Sequence, residues 1–288
     1  MIKETIGVVI VTHNPPVNAI EREIETLLGS KFSFKIFIID SSDNSNPHLM
    51  SYIQSLCYND NISYYKVCNS GFDFSLNYGV NKIRQSTDAR FIMVLEDDVM
   101  SLSGLVEVME MLQEVVKGDS DVVVLGDKEI VPGPHKLVEI TKGYFGSSTF
   151  IARSECPFTI PHREEFFMDY DDFDFQFNIR KHGGNLYVTS WPAITKLPIG
   201  RGEFPFLVQP LWRNFLKARN STVLLKERKI SFLLYVREYI MSIPGFLINI
   251  WRYGFFTFMR VMFRGFSCGI SNTFSIDDIM EIRHTAKK

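Results

Sequence analysis

The sequence predicts an α/β protein with an open, mostly parallel sheet and helices on both of its faces. Short uninterrupted apolar runs, such as Ile6–Val11 and Phe91–Leu95, are typical of parallel strands that are buried on both sides. Segments with helical periodicity alternate with these runs as far as Leu125, which is the order expected of such a sheet. Polar or acidic residues follow several runs directly, as they do where strands end at a ligand-binding edge.

The predicted elements follow one another at regular spacing. Strands are expected at Ile6–Val11, Lys35–Ile39, Ile62–Val67, Phe91–Leu95 and Val122–Leu125. Helices are expected at Ala19–Leu28, Tyr52–Leu56, Phe74–Ile83 and Leu102–Val116. Beyond Gly126, extended segments at Ile130–Ile140 and Tyr144–Ala152 precede a helix at Phe173–His182. From Leu207 onward the sequence favours helices, and Pro244-Gly245 is expected to separate two of them.

Composition and charge narrow the class of protein. A chain of 288 residues with 45% hydrophobic and 22% charged residues is globular, and is long enough for one large domain with an appendage or for two small domains. The four cysteines are scattered without a Cys-x-x-Cys pair, which argues against a zinc site or a disulfide framework and fits a reducing compartment. Ten basic and two acidic residues lie between Arg213 and Arg264, so this stretch carries a net charge of +8.

Three carboxylates, Glu96, Asp97 and Asp98, end the strongest predicted strand. Because a buried strand cannot hold charges in its middle without a large desolvation cost, these side chains are expected to emerge at its carboxyl end. Carboxylate oxygens are the ligands that Mg²⁺ and Mn²⁺ prefer, and such an ion most often serves a diphosphate. An acidic loop after an edge strand is the alternative interpretation.

Other polar residues recur at strand ends and around a helix start. Thr12-His13-Asn14 follows the first strand and Asp40 the second, so both groups are expected at the same edge as the acidic triplet. Asn69-Ser70-Gly71-Phe72 and Asn77 flank a helix start whose backbone N–H groups could face an anion, although turn chemistry and packing would explain them equally well. The first strand is followed by neither a Gly-x-Gly-x-x-Gly nor a Walker sequence, which weakens dinucleotide and P-loop hypotheses.

A second acidic cluster lies at residues 169–174, where Asp169, Asp171, Asp172 and Asp174 lead into the predicted helix. Acidic residues at a helix N-terminus are stabilised by the helix macrodipole, which accounts for one or two of them. Four in six positions also suit catalysis, because a carboxylate beside a metal–diphosphate site can act as general base for an incoming hydroxyl.

Taken in order, these motifs resemble family 2 glycosyltransferases over most of the chain. The segments that resemble the nucleotide-sugar half of that family are IGVVIVTHN (6–14), IIDSSDNS (38–45) and NSGFDFSLNYG (69–79). Leu95–Asp98 stands at the position of the family's Asp-x-Asp metal motif, and Asp171-Asp172-Phe173-Asp174 resembles its acceptor-side acidic motif. Arg219-Asn220, with the later Arg264-Gly265-Phe266 and Gly269, is similar to the rhamnosyl- and galactofuranosyltransferase branch.

The resemblance implies a GT-A fold and an enzyme that transfers a sugar with inversion from a nucleoside diphosphate donor. UDP-galactofuranose, UDP-galactose and dTDP-rhamnose are all compatible donors, and a cell-surface polysaccharide or a lipid-linked glycan is the expected acceptor. Asp172 would be the general base, Asp98 the principal ligand of Mn²⁺ or Mg²⁺, and Glu96 a second ligand or a ribose contact. The remaining donor-site and acceptor-side residues implied in this way are Thr12, His13, Asn14, Asp40, Asn69, Gly71, Phe72, Asn77, Asp97, Asp171 and Asp174.

Two positions depart from the family pattern. Glu96 stands where the family usually has aspartate, and its longer side chain would shift the metal geometry. Lys196 stands near the place where the family often has a histidine metal ligand. Lysine there could neutralise diphosphate directly and weaken the dependence on metal, or it could be a solvated residue at a strand end.

The resemblance also suggests a domain plan and a location. Residues 1–220 would form the GT-A domain, with a nucleotide-sugar half at 1–126 and an acceptor half at 127–220, and residues 221–288 a C-terminal helical extension. The aromatic and arginine content of Phe246–Phe266 favours an interfacial helix on an anionic membrane, although packing on the catalytic domain or on a second subunit is the alternative. We therefore expect a cytoplasmic protein peripherally bound to the inner face of the cell membrane, with no nucleic-acid partner and with homo-oligomerisation left open.

Two other functions remain as alternatives. A sugar nucleotidyltransferase would use a similar sheet, but it would require a glycine-rich loop containing Arg and Lys after the first strand, and Thr12–Pro16 has none of these. A non-catalytic, membrane-associated scaffold of a polysaccharide assembly complex would explain the basic aromatic tail and the missing histidine.

Overall fold

The computed structural model describes residues 5–15, 17–43, 47–56, 59–130, 132–196 and 209–285. The chain forms two compact units, of which unit 1 comprises Met1–Glu164 and Phe175–Leu197, and unit 2 comprises Glu165–Asp174 and Pro198–Lys288. The predicted domain boundary after residue 220 stays a prediction, and a helix at Leu211–Lys226 runs across that position. The predicted start of the helical tail at Leu207 lies outside the described residues.

Unit 1 contains an eight-stranded mixed sheet and a separate two-stranded ribbon. The strands are β1 (Thr5–Thr12), β2 (Ser33–Asp40), β3 (Ile62–Lys66), β4 (Phe91–Glu96), β5 (Val99–Ser101), β6 (Val122–Val124), β7 (Leu137–Glu139), β8 (Phe150–Arg153), β9 (Leu186–Thr189) and β10 (Thr195–Lys196). The sheet order is β3-β2-β1-β4-β8-β6-β9-β7, and four of its seven neighbouring pairs are parallel. β5 and β10 pair antiparallel with each other. The predicted α/β fold with a mostly parallel sheet is confirmed.

The helices follow the predicted order, with two additions. They are α1 (Val17–Leu28), α2 (Pro47–Ser55), α3 (Phe72–Ser86), α4 (Leu105–Val115), α5 (Glu155–Thr159), α6 (Asp171–Lys181), α7 (Leu211–Lys226), α8 (Phe232–Tyr253), α9 (Phe255–Ser271) and α10 (Ile276–Thr285). The short α5 and a 3₁₀ turn at Glu164–Phe166 were not expected. The long extended segments predicted between Ile130 and Ala152 reduce to the short strands β7 and β8.

The core of unit 1 is split into two apolar layers, one on each side of the sheet. Side chains of a strand alternate between its faces, so Ile10 packs with the layer that contains Ile20 of α1, while Val9 packs with the layer that contains Leu76 and Val80 of α3. Burial of both faces explains why β1 is apolar throughout, and it restricts polar residues to the strand ends.

Unit 2 is built around the close packing of α7 on α9. A methyl group at Gly265 would lie 2.7 Å from the carbonyl oxygen of Phe215, and one at Gly269 would lie 2.6 Å from that of Arg219. The two helices can approach this closely only because both positions lack a side chain. This contact accounts for the glycines in the C-terminal motif that the sequence analysis singled out.

The predicted break at Pro244-Gly245 is wrong. α8 continues through Pro244 and ends at Tyr253, and the chain turns at Gly254, whose φ of 84° a glycine adopts at little cost. Pro244 is exposed, so water can reach the helix backbone where the proline interrupts its hydrogen bonds. The proline is therefore tolerated, and the glycine sets the boundary.

The apolar face predicted at Phe246–Phe266 is divided between the protein interior and its surface. Phe258, Val261 and Met262 are buried in the core of unit 2, whereas Phe256 is 86% and Trp251 88% exposed. Packing within the protein therefore accounts for part of this face, and for the rest both membrane contact and packing on a second subunit stay predictions. Among the described residues, no helix combines the length and the hydropathy needed to cross a membrane.

Candidate functional site

The carboxyl ends of three neighbouring strands bring the predicted polar groups to one edge of the sheet. In the parallel register, Thr12 at the end of β1 lies opposite Asp40 at the end of β2. On its other side β1 pairs with β4, where Val11 lies opposite Glu96. The expected convergence of these strand ends is confirmed, and the edge is the position where open α/β sheets bind ligands.

Asp40 is buried and is fully engaged by its neighbours. Its carboxylate accepts hydrogen bonds from the amide and hydroxyl of Ser42, at 2.8 and 2.5 Å, and from the hydroxyl of Tyr64 at 2.7 Å. The Lys66 ammonium lies 3.2 Å away. Burial alone would raise the pKa of Asp40, but these donors together lower it below its usual value. Asp40 therefore remains ionised at neutral pH and orders the loop that follows β2.

The segment after β1 connects this loop to the acidic triplet. The backbone N–H of His13 donates to Asp97 Oδ2 at 2.8 Å, and its imidazole Nδ1 lies 3.0 Å from the carbonyl oxygen of Ser41. Asn14 adopts a left-handed φ of 53°, and its N–H donates to Ser42 Oγ at 2.7 Å. The hydroxyl of the buried Thr12 has no hydrogen-bond partner in the part of the chain that the structure describes.

The acidic triplet lies where β4 turns into β5. Glu96 ends β4, while Asp97 and Asp98 form the turn before Val99. Burial raises the pKa of Asp97 to about 6, although the hydrogen bond from His13 opposes this shift. Burial also raises the pKa of Asp98, against the effect of Lys196. The cluster therefore holds negative charge at a cost that a bound cation would relieve.

Lys196 is the cation that the structure places in this cluster. Its ammonium contacts Glu96 and lies 3.3 Å from Asp98 Oδ1, and its side chain is 17% exposed. Burial by itself would lower the pKa of Lys196, but the two carboxylates outweigh that effect and raise its pKa above the usual value. The side chain is therefore charged at neutral pH. The interpretation of Lys196 as a solvated strand-end residue is wrong, because the pairing of β10 with β5 sets it beside the triplet.

Glu23 is a fourth carboxylate beside the triplet, and the sequence analysis missed it. It lies on α1, is 1% exposed, and neither of its carboxylate oxygens has a hydrogen-bond partner among the described residues. Burial raises its pKa well above the usual value, and the charges of Asp97 and Asp98 raise it further. A charged residue in the apolar stripe of a helix was the available signal, since Glu23 occupies a core-facing position of α1.

The donor set suits a divalent cation. Glu96, Asp97 and Asp98 provide hard oxygen ligands, and Glu23 adds a buried carboxyl group that has no hydrogen-bond partner among the described residues. One lysine does not balance the three carboxylates of the triplet. Mg²⁺ or Mn²⁺ would be held by Asp98 and Glu96, provided that Lys196 gives up its contacts with them.

The residues predicted around the start of α3 lie in unit 1, and some of them are buried while others are exposed. Gly71 precedes α3 with a φ of 101°, which favours glycine, and Phe72 is the first helical residue. The Asn69 side-chain amide donates to Asp43 Oδ1 at 3.1 Å. Asn77 is buried, donates to the carbonyl of His162 at 2.8 Å and accepts from its N–H at 3.1 Å. The amide of Asn77 thus fixes a loop, which is the packing role considered in the sequence analysis.

The second acidic cluster belongs to unit 2 and forms the first turn of α6. Asp171 and Asp174 are buried, and Asp174 Oδ1 lies 2.5 Å from the Lys229 ammonium. Asp172 is half-buried and accepts a hydrogen bond from the N–H of Phe173 at 2.9 Å. Asp172 is therefore the most accessible of the three, as a general base must be.

The turn that leads into this cluster is strained. Phe167, Asp169 and Tyr170 all have a left-handed φ of 64–65°, a conformation that costs energy in non-glycine residues. The side-chain amide of Asn220 donates to the carbonyls of Phe166, Met168 and Asp169 at 2.8–3.0 Å.

Arg219, next to Asn220 on α7, also contributes to this turn. It is buried, and its guanidinium donates to the carbonyl of Glu165 at 2.8 Å. These contacts give a structural reason for the Arg219-Asn220 motif, which supports the backbone just before the acidic turn. Because the two acidic clusters belong to different units, their meeting in one cleft stays a prediction.

Comparison with known proteins finds similarity in structure but not in sequence. No family model and no curated protein matches the sequence. TarS from S. aureus, in a structure of residues 1–349, is 15% identical with a TM-score of 0.57, over 98% of this chain and 90% of that one. The same fragment in complex with UDP is 12% identical with a TM-score of 0.52 over the same shares of both chains.

A second protein shows a comparable structural likeness. The mannosyltransferase PcManGT from Pyrobaculum calidifontis, in complex with GDP-Man and Mn²⁺, is 11% identical with a TM-score of 0.54. The alignment covers 98% of this chain and 79% of that one. At these identities the likeness establishes the fold, and the chain has the GT-A fold that these glycosyltransferases share.

Proposed function

We propose that this protein is an inverting glycosyltransferase that moves a sugar from a nucleoside diphosphate donor to a hydroxyl of a glycan acceptor. The observation that carries the proposal is the cluster of Glu96, Asp97 and Asp98 with Lys196 at the carboxyl edge of the parallel strands. The fold, together with the UDP and GDP-Man complexes of two proteins of similar structure, supports a donor of this class.

The donor diphosphate would be recognised at the edge formed by β1, β2 and β4. Asp98 and Glu96 would hold Mn²⁺ or Mg²⁺, and the ion would supply charge stabilisation of the leaving diphosphate. His13 and Asn14 order the loop beside this edge, while Thr12 brings a buried hydroxyl without a hydrogen-bond partner among the described residues. These three residues and Asp40 would contact the base and ribose. Asn69, Gly71, Phe72 and Asn77 would line the nucleotide pocket.

Asp172 would act as the general base on the acceptor side, assisted by Asp171 and Asp174. In a single displacement the acceptor oxygen attacks the anomeric carbon, its proton passes to the Asp172 carboxylate, and the bond from that carbon to the diphosphate breaks. Attack from the opposite face inverts the configuration. The half-buried position of Asp172 supports this role, whereas Asp174 is already paired with Lys229.

A membrane surface is the proposed setting of the reaction, through α8 and α9 of unit 2. Trp251, Phe255 and Phe256 are exposed there, and Leu233, Ile240 and Leu247 recur every seven residues along one exposed side of α8. Arg237, Arg252 and Arg260 are exposed on the same two helices, which carry no exposed acidic residue. An aromatic and arginine surface suits the anionic inner leaflet, where a lipid-linked acceptor would be presented.

The proposal is tested by turnover of a donor panel. UDP-galactose, UDP-galactofuranose, dTDP-rhamnose and GDP-mannose are incubated with the protein and Mn²⁺, and release of nucleoside diphosphate is measured. Asp172→Asn should reduce turnover of the accepted donor by about 10²–10⁴-fold with nucleotide affinity largely kept. Asp119→Asn, which removes an 80% exposed carboxylate of unit 1, is the matched control.

Two outcomes would contradict the proposal. Unchanged turnover in Asp172→Asn would refute the assignment of the base. Release of pyrophosphate from a sugar phosphate and a nucleoside triphosphate would indicate a nucleotidyltransferase instead.

A further inference from the structure

Lys196 is held in the acidic cluster by the fold and by charge together. β10 pairs antiparallel with β5 so that Lys196 lies opposite Val99, the residue that follows Asp98. Its ammonium contacts Glu96 and lies 3.3 Å from Asp98 Oδ1. The lysine therefore occupies the two carboxylates that are the proposed metal ligands.

The charge around Lys196 is not balanced by the lysine alone. Asp97 stands between the two carboxylates that Lys196 contacts, so three carboxylates face one ammonium. Glu23 is a further buried carboxyl group near them, and neither of its oxygens has a hydrogen-bond partner among the described residues. Removing the ammonium from Glu96 and Asp98 would leave it partly buried and unpaired, which is costly. If a cation binds alone, this cost weakens its binding. If it binds together with a diphosphate, the diphosphate oxygens become new partners for the Lys196 ammonium.

We propose that Lys196 is an internal counter-ion that competes with the divalent cation for Glu96 and Asp98 and passes to the donor diphosphate when the cation binds. This inference rests on the proposed function. Its consequence is that cation and nucleotide bind cooperatively, because each removes the obstacle to the other, and this coupling is reciprocal. The cation alone binds weakly for as long as Lys196 keeps its carboxylates.

The test compares Mn²⁺ binding with and without nucleotide. Free Mn²⁺ is measured by electron paramagnetic resonance during titration of the wild type, Lys196→Met and Lys196→Arg. Without nucleotide, Lys196→Met should bind Mn²⁺ at least about tenfold more tightly than the wild type, while Lys196→Arg, which keeps the charge, should remain weak. Lys142→Met, which removes an exposed lysine of unit 1, is the control and should leave Mn²⁺ affinity unchanged.

The second arm adds UDP or GDP at saturation. In the wild type the nucleotide that binds should raise Mn²⁺ affinity at least about tenfold, and in Lys196→Met this increase should shrink or disappear. A larger Mn²⁺-induced rise in Tm for Lys196→Met than for the wild type gives the same answer if that variant is too unstable for long titrations.

The inference is overturned if Mn²⁺ alone binds Lys196→Met no more tightly than the wild type, or binds neither. The Mn²⁺-only arm requires no donor and no turnover. A protein that binds no nucleotide, yet gains Mn²⁺ affinity on loss of Lys196, would refute the proposed function and leave the competition intact.

Discussion

At the scale of single residues, two strand-end carboxylates serve different purposes. Asp40 accepts hydrogen bonds from Ser42 and Tyr64 and forms an ion pair with Lys66. These contacts lower the pKa of Asp40. Burial raises the pKa of Asp98, whose Oδ1 lies 3.3 Å from the Lys196 ammonium, a cation that it shares with Glu96. The donors around Asp40 are enough to lower its pKa, whereas one shared lysine does not offset the burial of Asp98.

Glu23 provides a pH test at this scale. Its pKa is raised above the usual value by burial and by Asp97 and Asp98, so the folded state favours the protonated form. The resulting contribution to stability is present below the unfolded pKa of about 4.5 and is lost as the pH rises through the folded pKa. Glu23→Gln removes the titration, so this variant should gain stability relative to the wild type as the pH rises above about 4.5, by an amount on the order of 1–3 kcal/mol.

The measurement is urea unfolding of both proteins at several pH values in the presence of a metal chelator. Glu25→Gln alters an exposed carboxylate on the same helix and is the control. Parallel pH profiles for the wild type and Glu23→Gln would contradict the burial of an unsatisfied carboxyl beside the acidic triplet.

Sequence reasoning could find Asp98 but not its neighbours in space. Asp98 lies two residues after the end of an apolar strand, so its position at the sheet edge depends only on local pattern and parallel topology. The contact of Lys196 with Glu96 depends on a two-residue strand that pairs across about one hundred positions of sequence, which no local pattern encodes. Glu23 was detectable from its place in an apolar stripe.

At the scale of elements, α8 and α9 show where pattern reasoning succeeds and where it fails. The amphipathic character of the segment was predictable from composition. Which of its apolar side chains are buried and which are exposed was not predictable. Gly265 and Gly269 allow α9 to pack on α7, and this packing decides which aromatic residues are buried. The boundary between α8 and α9 was also not predicted. It lies at Gly254, where the backbone has a positive φ, and not at Pro244, where the sequence predicted a break.

The exposed part of these helices gives a testable surface. Wild-type protein should float with vesicles that contain phosphatidylglycerol, more weakly with neutral vesicles and more weakly at high salt. Because each exposed aromatic side chain contributes about 1.5–3 kcal/mol when it is removed from water, the double variant Trp251→Glu and Phe256→Glu should bind at least tenfold less. Val106→Glu, at a 39% exposed apolar position in unit 1, should bind like the wild type.

Equal flotation of all variants would contradict membrane contact through α8 and α9. A self-association in analytical centrifugation that only the double variant abolishes would instead identify this surface as an interface between copies of the chain.

At the scale of the whole molecule, the fold class was the most predictable feature. Continuous apolar strands that alternate with amphipathic helices fix a layered α/β arrangement, and the observed layers on both sides of the sheet follow from it. A C-terminal helical extension was predicted, but the grouping of residues 165–174 with the C-terminal helices was not. Residues 165–174, which carry the proposed base, group with the C-terminal helices because Arg219 and Asn220 of α7 hold the backbone before α6. Such a grouping comes from long-range hydrogen bonds and not from local sequence pattern.

The most direct test of the central claim is calorimetric titration of the full chain with UDP, GDP and dTDP in the presence of Mn²⁺. A nucleotide site that includes the acidic triplet requires that at least one of them binds with a stoichiometry of one, and that Asp98→Asn weakens this binding at least about tenfold, or about 1.4 kcal/mol. If none of the three binds, or if Asp98→Asn binds as tightly as the wild type, the sheet edge is not a nucleotide-sugar site.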